Sequence, residues 1–82
     1  MADTTATAAL AWFDLSTEYT ECYQSALQRP YYLILCARLD TAVDRYRVRY
    51  IPLDGEPEHA PAKFADLRAA KAWCETHVNR ID

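Results

Sequence analysis

Glycine occurs once in the 82 residues. That scarcity leaves no G-x-G-x-x-G run and no phosphate loop, because a backbone cradle for phosphate needs several residues free of a Cβ. One glycine and four prolines also leave little room for long linkers. Only three cysteines are present, Cys22, Cys36 and Cys74, and an odd number argues against a disulfide framework. The first residues, "MADTTATAAL", carry no basic start and no long apolar run. The expectations are therefore no secretory signal, no membrane span and a cytoplasmic location.

Catalytic signals are equally sparse. Ser16 and Ser25 are the only serines, and neither sits on a sharp glycine-flanked turn of the kind that presents a nucleophile. Cys74 and His77 are spaced to share one helix face, but a structural zinc needs a second pair, and Cys22 and Cys36 lie far apart. Glu56 and Glu58 are near neighbours in a proline-broken segment, where nothing would bury one carboxylate and split their pKa values. The sequence thus offers no catalytic residue, no metal set and no cofactor site, and the expectation is a protein that is not an enzyme.

What is present is a small globular composition: 51% hydrophobic residues, 12% aromatic, and a formal net charge of −3. Residues 1–8 are expected to form a flexible N-terminus and 9–82 a single domain. The charge is unevenly placed. Four bases and two acids between 31 and 53 make a basic island. Segments 1–30 and 54–62, each with a net −3, flank it.

The island centres on "DRYRVRYIPL", residues 44–53, with Arg45, Arg47 and Arg49 at alternate positions and Tyr46, Val48 and Tyr50 between them. On a strand, alternate side chains point to opposite faces, so the segment has one packing face and one arginine face. "YYLILCARL", 31–39, reads as a central strand, and "TAVD" can close a hairpin between the two. That register sets Leu39 opposite Tyr46, Ala37 opposite Val48 and Leu35 opposite Tyr50. On the other face it sets Asp40 opposite Arg45 and Arg38 opposite Arg47. A longer loop, which would pair Ala37 with Arg47 and mix the faces, is disfavoured.

"LAWFDL", 10–15, reads as a short first strand. "STEYTECYQSALQRP" is ambiguous: Tyr19, Cys22, Tyr23, Ala26 and Leu27 fit a helix, and alternation through Tyr19, Glu21 and Tyr23 fits a strand. "DGEPEHAPAK", 54–63, reads as an acidic loop. Asp66 caps a helix from Leu67, whose apolar stripe is Leu67, Ala70, Cys74, Val78 and Ile81, with Phe64 leading in and Trp73 on the flank. The predicted fold class is α+β: an antiparallel sheet of three to four strands with one C-terminal helix on one face. Leu33, Leu35, Tyr46, Val48 and Tyr50 are the expected partners of that helix.

The pieces "LAWFDL", "EYTECY", "RYRVRY" and "KFADLRAAKAWCETHV" resemble a loose group of short phage and prophage accessory proteins. Their pattern is a Trp-bearing first strand, a tyrosine-bearing second strand, a "W-R-V-R-Y"-like strand and a "G-T-F-D-S-L-E-E-A-K-A" helix entry. Lys63 stands where the group has a glycine, "DLRA" replaces "SLEE", and the acidic loop 54–62 is longer. The resemblance implies a sheet-plus-helix fold, favours a strand at 17–28, and implies no enzymatic site. By analogy of size and origin it points to an inhibitor of a host defence complex of the anti-CRISPR type.

Beside a plain solvated sheet face, two binding readings follow for the arginine face. One is docking on a host protein or nucleoprotein complex by a monomer or homodimer, through Arg45, Arg47, Arg49, Arg38, Tyr32, Glu56 and Glu58. The other is a nucleic-acid-associated module. It is disfavoured by the acidic total and by tyrosines that fall on the packing face, leaving Tyr32 alone beside the arginines. No membrane partner is expected.

Overall fold

The computed structural model describes residues 10–80. It has an α+β architecture: β1 (Phe13–Asp14), β2 (Thr20–Gln24), β3 (Tyr31–Ala37), β4 (Arg47–Ile51), β5 (Glu58–His59) and α1 (Leu67–Arg80). The strands form one antiparallel sheet in the order β1-β2-β3-β4-β5, so every strand pairs with its sequence neighbour. The sheet has five strands rather than three or four. The addition is β5, inside the segment expected to be a loop. Asp54–Gly55 turns the chain there, with Gly55 at φ 97°, a left-handed conformation that a side chain disfavours. The expected tail 1–8 and Ile81 lie outside the described residues.

The helix forms where its cap and stripe place it. The Ala69 N–H donates to Asp66 Oδ1 at 2.8 Å, satisfying one of the amides left open at a helix start. Ala70 and Cys74 are fully buried, with Leu67, Trp73 and Val78 packed around them. Their counterparts on the sheet are Tyr32, Ile34, Cys36, Tyr46 and Val48. Each such side chain taken from water contributes roughly 1.5–3 kcal/mol, which is how so short a chain holds a core. Lys71 ties the same helix to the β1–β2 side: its ammonium lies 5.7 Å from the Trp12 ring and 5.6 Å from the Tyr23 ring.

The β3–β4 register departs from the sequence expectation. Val48 faces Ile34 instead of Ala37, Tyr50 faces Tyr32 instead of Leu35, and Arg47 and Arg49 face Leu35 and Leu33. The displacement is three residues, an odd number, so β3 presents its other face to the helix. Tyr32, Ile34 and Cys36 are in the core, while Leu33 and Leu35 point away from α1 and are half-buried. The reason is that β3 is apolar on both faces. Its pattern carries no preference for either side, as in a strand sandwiched between layers.

The connection 38–46 is accordingly longer than "TAVD". Beyond Leu35↔Arg47 the two strands part, and Tyr46 bridges to Phe64 instead, with N–H···O distances of 2.8 and 2.9 Å. The ambiguous second segment is a strand: Thr20–Gln24 pairs along β3 from Thr20↔Ala37 to Gln24↔Leu33.

A mixed aliphatic and basic sheet face

The face away from α1 is built from side chains that directly oppose one another across strands. Phe13 pairs with Gln24, Gln24 with Leu33, Leu33 with Arg49, and Arg49 with His59. This row crosses all five strands. A second row runs Cys22, Leu35, Arg47. Paired residues in an antiparallel sheet project to the same side, so the face is mainly apolar over β1–β3, where Phe13, Tyr31, Leu33 and Leu35 surround Gln24, and carries Arg47, Arg49 and His59 beside the buried Ile51 over β4–β5. Among the described residues, no other strand or helix packs on it; α1 contacts β3 and β4 from the opposite side. Phe13 is 41% exposed, Arg47 and His59 are exposed, and Arg49, Leu33, Leu35 and Cys22 are half-buried.

Two concavities flank Arg47. One, about 270 Å³, sits where β3 and β4 diverge and is lined by Arg45, Arg47 and Arg49 with Thr20, Leu35 and Asp40. The other, about 380 Å³, is lined by Arg47, His59, Pro61 and Lys63. Among the described residues, the Arg47 and Arg49 guanidiniums enter no hydrogen bond or ion pair. Three arginines around a concavity that holds one carboxylate, Asp40, leave a local excess of positive charge that an incoming carboxylate offsets.

The expected site residues divide. Arg47 and Arg49 lie on the open face as alternation requires. Arg45 lines the same concavity, but it turns at the end of the strand. Side-chain hydrogen bonds to Cys36, above all, and to Tyr46 raise its pKa, and its guanidinium lies 5.7 Å from the Tyr46 ring. Arg38 is not opposite Arg47. It follows the end of β3, where its N–H donates to the Tyr19 carbonyl and its Nε to the Thr17 carbonyl at 2.9 Å.

Tyr32 is not on the arginine face either. It is 2% exposed beneath α1, with its hydroxyl bonded to His77 Nδ1 and its ring 4.8 Å from that of Tyr50. The odd register shift that exposes Leu33 is what buries Tyr32. Glu56 is exposed in the β4–β5 turn, and Glu58 opposes Tyr50, on the helix side of the edge strand.

Glu21 pairs with Cys36 and so belongs to the helix side, away from the arginines. It accepts hydrogen bonds from the Tyr23 and Tyr46 hydroxyls at 3.0 and 3.2 Å. Burial first, then Glu21, pushes the Tyr46 hydroxyl above its ordinary pKa. His59, read in the sequence as part of an acidic loop, lies beside Arg49 instead. The Asp54–Gly55 pair, a hairpin dipeptide, is the signal that could have placed it. The helix pair Cys74 and His77 is separated by its surroundings: Cys74 is in the core, where burial pushes its thiol up to about 12, while His77 stacks on Trp73. Among the described residues, no group of three or more His, Cys, Asp and Glu side chains could hold a metal ion, and no helix is long and apolar enough to cross a membrane.

Comparison of the chain with protein-family models, with curated proteins and with solved structures gives no match.

Proposed function

We propose that this chain is a non-enzymatic binding protein that docks an acidic protein surface on the open face of its sheet. The observation that carries the reading is the pairing of Leu33 with Arg49 and of Leu35 with Arg47, away from the helix. Aliphatic area beside unengaged guanidiniums is the composition of a protein interface, where arginine anchors to carboxylates and apolar neighbours exclude water. A single-strand nucleic-acid platform instead stacks bases on exposed aromatic rings. Here Tyr32 and Tyr46 are buried under the helix and Tyr50 faces it, which leaves Phe13 on β1 and the half-buried Tyr31 as the rings that the strands place on the open face. The net charge of −3 also opposes long-range attraction to a polyanion. The resemblance to phage accessory proteins supplies the biological setting: an inhibitor of a host protein complex, of the anti-CRISPR kind, acting in the host cytoplasm.

The test compares the parent with an Arg47→Ala/Arg49→Ala variant in three assays. These are thermal stability, capture of protein from nuclease-treated bacterial lysate, and binding to single- and double-stranded oligonucleotides. The variant should stay folded and lose capture by about tenfold, since close charge pairs across an interface are worth more than rim charges. Oligonucleotide binding by the parent that is tight and falls steeply between about 50 and 200 mM salt would assign the face to nucleic acid.

A further inference from the structure

We infer that the occupant of the open face is an amphipathic α-helix whose flank is acidic, lying along β2–β4. This inference rests on the reading of that face as a protein-docking surface and names the shape and chemistry of what docks there.

The argument begins with the edges. A partner strand would add to an edge, but the edge strands, Phe13–Asp14 and Glu58–His59, are two residues long. They offer too few backbone groups for strand addition to be the main mode. The flat face is what remains, and a sheet face is matched by a helix, as α1 already does on the other side. Dimensions agree. A five-residue strand is about 17 Å long, the length of about 12 helical residues. A helix is about 10 Å across, which spans about two strand spacings of 4.8 Å.

The two halves of the face fix the chemistry. Cys22, Leu33 and Leu35, with Gln24 beside them and Phe13 at the β1 rim, form the apolar half, and Arg47 and Arg49, with His59 at the β5 rim, form the donor half, with one strand spacing between Leu33 and Arg49. A helix with apolar residues at i, i+3, i+4 and i+7 covers the first half, and carboxylates on its flank reach the second. Screening over about 10 Å at 0.1 M salt makes the local basic patch, and not the overall negative charge, what a docked helix experiences.

The probe is a synthetic peptide of about 18 residues, long enough to be helical, with leucines at that spacing and glutamates on one flank. It is compared by fluorescence anisotropy with a scrambled peptide of identical composition and with a lysine-flanked version. Sedimentation equilibrium of the protein alone is run in parallel. The acidic amphipathic peptide should bind at least about tenfold tighter than either control. Arg47→Ala/Arg49→Ala should abolish its advantage over the lysine version, and Phe13→Ser, at an exposed position, should weaken binding without altering the melting temperature.

Equal binding of the scrambled peptide would overturn the helix while leaving the protein-docking reading intact. Binding of neither peptide, with protein capture still dependent on Arg47 and Arg49, would do the same. Self-association lost in the double arginine variant would replace the proposed occupant with a second copy of this chain. Oligonucleotide binding in place of peptide binding would remove both the inference and the reading beneath it.

Discussion

At the residue scale, the cysteines report on burial. Cys36 and Cys74 are 2% and 0% exposed, whereas Cys22 is half-buried on the open face. Thiol titration should therefore show one group reacting in the folded protein and two more only on unfolding. Cys74 also gives the fold a pH dependence. Burial raises its pKa from 9.0 to about 12, so the folded state keeps a proton that the unfolded chain releases between those values. Its contribution is complete below pH 9 and declines as pH climbs towards 12. Tyr23 and Tyr46, also raised chiefly by burial, act in the same direction above pH 10. Urea midpoints measured from pH 8 upward should fall less steeply for Cys74→Ala than for the parent. Identical slopes would mean that Cys74 ionises as freely folded as unfolded.

At the scale of elements, α1 is the anchor. Asp66→Ala removes the cap of a helix with no acidic residue in its first turn, and should cost about 1 kcal/mol, a fall in Tm of about 4–8 °C. Ala70→Asp places a carboxylate at a fully buried site and should unfold the domain, as circular dichroism would show. A folded Ala70→Asp protein would mean that the helix is not seated on Tyr46 and Val48. These elements were legible because cap, stripe and alternation agree: Asp66 precedes Leu67, and Arg47-Val48-Arg49 has a clear inside and outside. The parity of β3 was not legible, since "YYLILCA" satisfies a core on either side. Arg45 departs from the row because β4 begins at Arg47, and alternation stops constraining a side chain where pairing ends. His59 was hidden by its acidic neighbours.

At the scale of the whole molecule, one sheet carries two unlike faces. The helix side takes Tyr32, Tyr46 and Tyr50, the buried thiols and the Glu21–tyrosine hydrogen bonds. The other side keeps Leu33 and Leu35 beside Arg47 and Arg49. That arrangement, where the sequence pattern sets Leu33 and Leu35 on the packing face, is the basis for proposing a docking surface. Keeping the arginines on the side without a helix avoids burying like charges together, whose desolvation would exceed what so small a core supplies. The most direct test is site-resolved photo-crosslinking in nuclease-treated bacterial lysate. It uses Phe13→p-benzoylphenylalanine on the open face and Ala72→p-benzoylphenylalanine on the exposed side of α1. The account predicts a discrete protein adduct from position 13 that vanishes when Arg47 and Arg49 are also changed to alanine, and none from position 72. An adduct formed from position 72 alone, or one from position 13 that is indifferent to the arginines, would contradict it.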